Sequence, residues 1–538
     1  MSLSAPAGAH GPAQVASWRV AWDESVLGVA VALARQAAAS APAQAVLRVW
    51  DGSWVAGIVR PLWSPTAPAR PVEGLAFIWL VLLVGLNAWA FNISGGTLTR
   101  TAVLLLSLAV IGCTRSLALF LVLAAIPFVP DEAALILVGG LVLKVALGRF
   151  ATAGWRVRSF AEALARDSRS RLGTAVILFA LLLVVATITS VDPAGSLRYL
   201  IVWVLAIALY WLIGDLAGDS TSLVRAALAL GATAVLAGLY GLYQVAVHVP
   251  VERAWVDVTL FPEVGTRVFA FWGNPNVFAL HLLLTGPLLA ASLWTAGGWP
   301  ARVATGLSLL VLGLALVLTL SRSGWFGLAA AIVFLGLMRD LRVVVVGFLA
   351  ALGALLVAPD IVLARAATLA RFDDPTAVHR FRVWEASARM IGDFWWSGLG
   401  LSWRSFKAVY PQYAIGGRVA FHAHSHYLQT LVELGVIGFA ALHVIILRPL
   451  VWTVKHVRQA RRSPAGTVLI TATAALIGSL AFGLAEPVFY LPRPILIAWA
   501  VLGLATAARA TLDPPGTANS PATAKMAPSS GSGEVRRA

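Results

Sequence analysis

The sequence alternates long apolar runs with short polar or basic stretches over most of its length. Thirteen such runs lie near residues 74–91, 101–129, 133–148, 173–191, 198–213, 224–247, 276–296, 303–320, 324–338, 343–358, 427–447, 467–484 and 494–508. A helix needs about 20 apolar residues to cross a bilayer. The pattern therefore predicts an all-α polytopic membrane protein with about 12–13 transmembrane helices. Thr114 and Arg115 interrupt the second run, which leaves the side of the N-terminus open.

One long polar interval, residues 359–426, divides the apolar runs into two groups. We expect a first transmembrane bundle over residues 74–358 and C-terminal transmembrane helices over residues 427–508. The Ala-rich segment 1–73 has no run long enough to span a bilayer, so we expect an interfacial helix or disorder there. The tail 509–538 is rich in Pro, Ser, Thr, Ala and Gly, which predicts a disordered cytoplasmic segment.

The long polar interval shows helical periodicity, which predicts a folded loop with short amphipathic helices. One face of the first helix would carry Trp384, Ala388, Ile391 and Trp395, and the other Arg382, Glu385, Arg389 and Asp393. Such a helix either lies on the membrane surface or packs on the spans. Trp403, Phe406 and Tyr410 predict a second short helix, which ends before Pro411.

Composition supports a membrane location and argues against a soluble class. With 59% hydrophobic residues, 12% charged residues and a mean hydropathy of +0.84, the chain has too little polar surface for a soluble globular protein. A net charge of +16 suggests nucleic acid in a soluble protein, but here basic residues concentrate in short loops at 149–171, 339–342 and 448–462. Such loops are typical of the cytoplasmic side, so interval 359–426 is predicted on the opposite side. The single Cys113 excludes an intramolecular disulfide.

Three arginines on that opposite side stand at the ends of different apolar runs. They are Arg267, Arg322 and Arg380, the last followed closely by Arg382. Guanidinium groups at the headgroup level bind phosphate or diphosphate through planar, often bidentate hydrogen bonds. The alternative is that each arginine anchors the chain to lipid phosphates. Their common side of the membrane favours one shared phosphate ligand.

Three histidines alternate in the segment His422-Ala423-His424-Ser425-His426, directly before the apolar run that begins at Tyr427. Alternate residues of an extended segment point the same way, so one interpretation is a metal site. A second is a neutral imidazole that accepts a proton from a sugar hydroxyl. A third is a set of caps and interfacial hydrogen bonds at the start of a span. Glu433 lies one helical turn after Gln429 and is predicted to face protein rather than lipid.

Together these motifs resemble those of the O-antigen ligase and O-antigen polymerase superfamily, over about residues 170–508. The segments that carry the resemblance are Arg267 with Gly273-Asn274-Pro275-Asn276, then Thr319-Leu320-Ser321-Arg322-Ser323-Gly324, then Arg380 with Trp384 and Gly398-Leu399-Gly400, then His422-Ala423-His424-Ser425-His426-Tyr427-Leu428-Gln429 and Glu433-Leu434-Gly435-Val436-Ile437-Gly438. The family usually has Asn after the histidine that matches His424, where this chain has Ser425.

The resemblance implies a multi-span glycosyltransferase of the bacterial inner membrane, with a large periplasmic loop and an undecaprenyl diphosphate-linked glycan donor. It implies His424 as general base, Arg267 and Arg322 as ligands of the diphosphate, and Arg380 and Arg382 as further substrate-binding residues. Residues expected to support the site are His422, His426, Tyr427, Trp384 and Glu433. No metal and no cofactor are implied.

The acceptor stays open at this point. It is the lipid A core in an O-antigen ligase of lipopolysaccharide biosynthesis, a second lipid-linked repeat in an O-antigen or exopolysaccharide polymerase, or a protein in an O-oligosaccharyltransferase. A bicarbonate or other small-solute transporter is the competing class, but a carrier places its ionisable residues near the membrane midplane, and here they are predicted at one face. Expected partners are the lipid-linked donor, a lipid or saccharide acceptor and membrane lipids, without nucleic acid. The oligomeric state stays open.

Overall fold

The computed structural model describes residues 72–93, 96–114, 116–152, 173–249, 267–296, 298–367, 375–416 and 420–512. The chain divides into two compact units, Met1–Trp79 and Leu80–Ala538. In the first unit only the beginning of one helix is described, so nearly all of the predicted segment 1–73 lies outside the described residues. Most of the predicted tail 509–538 lies outside them too, and its first four residues continue the last helix to Leu512.

The described residues form helices and turns, without a strand among them. The nineteen α-helices in these ranges are α1 (Val72–Asn92), α2 (Thr97–Cys113), α3 (Ser116–Ala125), α4 (Asp131–Thr152), α5 (Gly173–Ile188), α6 (Pro193–Leu216), α7 (Ser220–Ala246), α8 (Pro275–Leu289), α9 (Ser292–Thr295), α10 (Trp299–Leu318), α11 (Arg322–Met338), α12 (Arg342–Leu356), α13 (Asp360–Ala367), α14 (Pro375–Phe394), α15 (Trp403–Val409), α16 (His426–Lys455), α17 (Val457–Ala460), α18 (Pro464–Phe482) and α19 (Pro492–Leu512).

Seven described helices are long and apolar enough to cross a membrane, namely α6, α7, α8 with α9, α10, α16, α18 and α19. An eighth span results if α12 and α13, which meet at a bend of 117°, cross as one unit. The prediction of an all-α polytopic membrane protein is confirmed. The predicted count of about 12–13 spans is larger because α1, α2, α3, α5 and α11 contribute only shorter apolar helices. Helix α4 carries Asp131, Glu132, Lys144 and Arg149, which makes it less apolar.

The connections at one end of the helices of the second unit contact one another, and we call this the loop end. Arg493, at the start of α19, forms an ion pair of 2.9 Å with Asp131, at the start of α4. The Tyr199 hydroxyl of α6 donates to the Tyr490 carbonyl at 3.1 Å. At the opposite end, which we call the basic end, Arg149 pairs with Asp215 at 2.8 Å. Consecutive long helices therefore run in alternating directions between the two ends.

Helices α18 and α19 occupy the centre of this unit. In their apolar windows, 89% and 78% of the residues are buried. The buried Trp499 ring of α19 lies 5.7 Å from the Tyr210 ring, 6.2 Å from the Trp203 ring and 6.1 Å from the Phe179 ring. Helices α10 and α12 instead expose many apolar side chains, as expected where a helix contacts lipid. The central pair thus fixes the positions of the surrounding helices.

Helix α16 folds back on itself at Gly435, which has a φ of +64°. The ring of His426 lies 5.1 Å from that of His443, although the two would be about 25 Å apart along a straight helix. A Cβ on Gly435 would come within 2.3 Å of the Trp396 carbonyl oxygen, so only glycine fits. The predicted span from Tyr427 is therefore interrupted, and the residues before Gly435 form a separate arm against the longer one.

The large loop (residues 359–425) contains α13, α14 and α15, and α14 and α15 pack around a small apolar core that Val432 of α16 completes. On α14 the buried face carries Val383, Ala386 and Met390 rather than the predicted set, because these side chains meet Leu399 and Phe406 in that core. Of the predicted apolar face, Ala388 and Trp395 are exposed. The predicted charged face is exposed, and the second short helix is present as Trp403–Val409.

Replacement of Gly435 tests whether the fold of α16 depends on this backbone conformation. Gly435→Ala places an L side chain in the left-handed region, which costs about 1–3 kcal/mol before the overlap with Trp396 is counted. We expect a clearly lower midpoint of thermal unfolding for the purified protein. Gly392→Ala, on α14, is the control because a Cβ there meets no atom within 4 Å. Equal midpoints for the two variants would contradict the prediction.

Candidate functional site

A buried carboxylate lies at the centre of the polar residues of the loop end. Glu486, in the connection between α18 and α19, is only 5% exposed. Its Oε1 accepts a hydrogen bond from Nδ2 of Asn276 at 2.8 Å and forms an ion pair with Arg380. Its Oε2 lies 3.8 Å from Nδ1 of His424. One carboxylate therefore joins α8, α14 and the histidine segment before α16.

The ionisation of Glu486 follows from these neighbours. Burial alone would raise the pKa of Glu486, but Arg380 and then the two histidines His424 and His422 outweigh it and lower that pKa to about 2. The group is therefore negative at neutral pH. The stability that this lowered pKa contributes is present above the ordinary value of 4.5 and is lost as the pH falls toward 2.

His424 is held by its backbone as well as by its ring. Its φ of +47° lies in the left-handed region, which is strained for a residue with a Cβ. The His424 carbonyl accepts from Nε1 of Trp384 at 3.1 Å, and its N–H donates to Nδ1 of His422 at 3.2 Å. The side chain of His424 is 24% exposed. A small molecule outside the protein can therefore reach an imidazole whose backbone is held by two hydrogen bonds.

The three alternating histidines do not converge on one point. The rings of His422 and His424 lie 4.2 Å apart, whereas His426 turns away and its ring contacts those of His443 and Phe489, each at 5.1 Å. Burial, followed by the charge of His424, lowers the pKa of His422 to about 3, so His422 is neutral. Within the described ranges no three His, Cys, Asp or Glu residues are placed to hold a metal ion.

The support residues predicted at the start of α16 serve the histidine segment indirectly. The His426 N–H donates to the Gly483 carbonyl at 2.7 Å, and the Tyr427 hydroxyl donates to Leu480 at 3.0 Å, so both tie α16 to α18. Gln429 accepts from the Ala423 N–H at 2.7 Å.

Glu433 acts on the same segment through Gln429. Glu433 is 8% exposed, as expected for a residue that faces protein, and accepts from Nε2 of Gln429 at 2.7 Å. Glu433 thereby orients the amide that holds Ala423, the residue between His422 and His424.

Arg267 is nearly buried and contacts both the turn before α11 and the start of α8. Its Nε donates to the Thr319 carbonyl at 2.9 Å and its guanidinium donates to Oδ1 of Asn276 at 3.4 Å. Asn276 thus bridges Arg267 to Glu486. Burial, and then the charge of Arg365, lowers the pKa of Arg267 to about 10, so the guanidinium keeps its charge at neutral pH.

Arg322 and Arg365 belong to the same turn. Arg322 is the first residue of α11, after the N-cap Ser321, and Nε of Arg365 donates to the Leu320 carbonyl at 3.3 Å. Leu320 has a φ of +53°, a strained value that exposes its carbonyl to this contact. We call residues 319–322 with Arg267 and Arg365 the arginine turn. Arg267 and Arg365 donate to neighbouring carbonyls of this turn, and Arg322 follows it at the start of α11.

The predicted arginines separate into two positions. Arg380 joins the cluster through Glu486, whereas Arg382, two residues later on α14, is exposed and its guanidinium approaches Gly416 of the loop. Residues two apart on a helix do not share a face, which explains the separation.

Sequence reasoning missed Glu486 and Arg365. For Glu486 a signal was present, because it is an isolated acid between two apolar runs, a position where ionisable residues are usually functional. Arg365 was counted among the basic residues of the interval, but nothing in its surroundings distinguished it from the others.

The fold and this cluster define a multi-pass membrane protein with arginine and histidine side chains around a buried carboxylate at one end of its bundle. Residues 307–443 match the family model described as O-antigen ligase, and the resemblance to that superfamily is confirmed for this part of the chain. The match supports glycan transfer like that of an O-antigen ligase or polymerase. It includes Arg322, Arg380 and His424, while Arg267 and Glu486 lie outside it. No curated protein matches the chain.

Removal of the Glu486 charge tests its place at the centre of the cluster. Glu486→Gln leaves Arg380 beside a neutral amide, and breaking a buried pair on one side costs about 3–5 kcal/mol. At pH 7 we expect Glu486→Gln to have a lower unfolding midpoint than the parent protein. The parent should lose stability between pH 4.5 and 2 as Glu486 is protonated, and Glu486→Gln should not show this loss. Glu385→Gln is the control, since the Glu385–Arg389 pair is exposed and worth about 1 kcal/mol or less.

A combined variant separates the effect of breaking the Arg380–Glu486 ion pair from general damage to the fold. If the pair is the cause, Arg380→Met together with Glu486→Leu should unfold at a higher temperature than Glu486→Gln alone, because no unpaired charge stays buried. A combined variant that is less stable than Glu486→Gln would argue against the assignment.

Proposed function

We propose that the protein transfers a glycan from an undecaprenyl diphosphate-linked donor to an acceptor hydroxyl, at the periplasmic face of the bacterial inner membrane. The observation that carries the proposal is the contact of the partly exposed His424 with one oxygen of the buried Glu486 carboxylate, whose other oxygen pairs with Arg380. The acceptor of the primary proposal is the lipid A core. A second lipid-linked repeat or a protein hydroxyl would use the same groups.

The arginines supply a site for the diphosphate. Arg267, Arg322 and Arg365 of the arginine turn, with Arg380, provide planar donors that keep their charge at neutral pH. The N-termini of α8 and α11 begin at Pro275 and Arg322, and a helix N-terminus favours bound phosphate. Because Arg267 and Arg365 are fixed by contacts to Thr319, Leu320 and Asn276, these two groups need little reorganisation when charge develops on the leaving diphosphate.

His424 takes the role of general base in this proposal. Its neutral imidazole accepts the proton of the acceptor hydroxyl while that oxygen forms a bond to the anomeric carbon of the donor sugar. The bond between the anomeric carbon and the diphosphate oxygen breaks, and the diphosphate leaves with the electron pair. Glu486 then stabilises the imidazolium from 3.8 Å, and the arginines stabilise the diphosphate charge.

The periplasmic orientation is supported by the distribution of charge between the two ends. The basic end carries Arg149, Arg339, Arg342, Arg448, Lys455, Arg458, Arg461, Arg462 and Arg509 in short connections or helix ends. Such an excess is typical of the cytoplasmic side. The loop end then faces the periplasm. A transporter is disfavoured, because the ionisable cluster lies at one end of the helices rather than halfway along them.

Reconstituted transfer is the direct test of this function. Purified protein is incubated with a lipid-linked oligosaccharide and, separately, with lipid A core, a second lipid-linked repeat and a protein acceptor. We expect transfer without added nucleotide and with EDTA present, and His424→Ala should reduce the rate by about 10²- to 10⁴-fold, the usual contribution of acid–base catalysis. His443→Ala, on α16 and away from Glu486, controls for damage to the fold.

Donor binding separates the role of His424 from that of the arginines. His424→Ala should still bind the lipid-linked donor, because the diphosphate is held by other groups. Transfer by folded His424→Ala at close to the parent rate would rule out the general-base role.

Substitution of Arg322 tests whether this residue binds the diphosphate or only anchors the chain to lipid. Lysine can also anchor the chain to lipid phosphates, but it lacks the planar pair of donors. Arg322→Lys should therefore insert and fold normally and lose most transfer, with about a tenfold or greater fall in kcat/KM. Arg458→Lys, at the basic end, is the matched control and should keep full activity. Normal turnover by Arg322→Lys would mean that Arg322 only anchors the chain.

A further inference from the structure

A second group of basic side chains lies on α15 of the large loop, apart from the arginine turn. Nζ of Lys407 lies 5.0 Å from the centre of the Phe421 ring and 5.8 Å from that of Trp403. Cζ of Arg404 lies 5.6 Å from the Trp403 ring, and the two aromatic rings are 6.1 Å apart. Within the described part of the chain, neither Lys407 nor Arg404 forms an ion pair with a carboxylate. We call these four side chains the aromatic–cationic patch.

The patch is exposed on one side and held rigidly on the other. Lys407 and Arg404 are exposed, and Phe421 is 47% exposed. The opposite face of α15 carries Phe406, which is fully buried and stacks on Tyr410 with 5.4 Å between the ring centres. The outward side chains therefore stand on an anchored helix, which lowers the entropic cost of binding a ligand.

The patch borders the histidine segment. Phe421 directly precedes His422, and the Tyr490 hydroxyl donates to the Phe421 carbonyl at 3.4 Å. The Tyr490 ring also lies 4.7 Å from that of His422. His424 is the third residue after Phe421, so their Cα atoms are at most about 11 Å apart. A ligand on the patch can therefore extend to the imidazole of His424.

We propose that the aromatic–cationic patch binds an anionic saccharide of the acceptor, one that carries phosphate or carboxylate near its reacting hydroxyl. This inference rests on the proposed function and narrows its acceptor. The rings of Trp403 and Phe421 offer a flat apolar surface to the C–H face of a sugar. Lys407 and Arg404, which form no ion pair with a carboxylate among the described residues, attract the anionic group.

The separation of the two basic groups assigns the patch to the acceptor rather than the donor. The arginine turn contacts Thr319, Leu320 and Asn276, and Arg380 contacts Glu486, whereas the patch contacts are confined to α15 and Phe421. With Arg380 paired to Glu486, the three guanidinium groups of the arginine turn offset the charge of the donor diphosphate in the proposed function. The two further cations therefore serve a second anion, on the other side of the histidine segment.

Paired acceptors test the inference. An oligosaccharide that carries one phosphate monoester is compared with the same oligosaccharide after phosphatase treatment, both in binding to purified protein and as acceptors. For the phosphorylated form, we expect Lys407→Gln to raise the Kd and the acceptor KM about three- to fivefold, as for an exposed charge contact. The values for the treated form and the donor KM should not change. Phe421→Ala should weaken the binding of both saccharides.

Arg389→Gln, which removes an exposed charge from α14, is the matched control and should leave all these values unchanged. Equal effects of Lys407→Gln on both saccharides, as a purely structural or lipid-headgroup contact would give, would overturn the inference, and so would a rise in the donor KM. The binding comparison stands without turnover. Absence of transfer by the parent protein would therefore count against the proposed function, while phosphate-independent binding would count against the patch.

Discussion

The arrangement of the loop end depends on one buried negative charge. A carboxylate that is 5% exposed is tolerated only with charged and hydrogen-bonding partners, and Glu486 obtains them from segments far apart in the sequence. Asn276 comes from the start of α8, Arg380 from α14 and His424 from the segment before α16. Any arrangement that moved α14 from the bundle would leave an ion unpaired in a low-dielectric environment. This one buried charge therefore helps to position the loop against the bundle.

The arginine turn satisfies a second physical constraint. The last carbonyls of a helix have no partner within it, and α10 ends at Leu318 directly before a strained turn. Arg267 and Arg365 donate to the carbonyls of Thr319 and Leu320. The same contacts that complete the end of α10 thereby fix the direction of two guanidinium groups before any ligand binds.

Periodicity and composition predicted much of the fold, because lipid imposes apolar runs of defined length and charge bias at their ends. Local chemistry also sets the starts of α8 and α11, where the side chains of the N-caps Asn274 and Ser321 accept hydrogen bonds from N–H groups of the first turns. The buried face of α14 was not predictable, because the helix has apolar residues on several faces and only the loop core selects Val383, Ala386 and Met390.

Sequence patterns predicted only those residues of the candidate site that lie in distinctive segments. These residues are Arg267, Arg322, Arg380 and His424. The structure brings the segments that carry them together. Glu486 was not predicted, because long-range packing sets its partners and no local pattern encodes that packing. The reversal of α16 at Gly435 was missed for the same reason. A glycine within an apolar run looks like part of a span, and only the structure shows that the Trp396 carbonyl packs against it.

The large loop is fastened to the bundle mainly through its main chain. Leu399 donates to the Val432 carbonyl at 2.8 Å, and Val436 donates to the Trp395 carbonyl at 2.8 Å. Main-chain hydrogen bonds do not depend on side-chain identity, so few positions besides Gly398 and Gly435, where a Cβ would overlap a carbonyl, are constrained by this attachment. Outward residues of the loop are thus free to diverge while the histidine segment keeps its place.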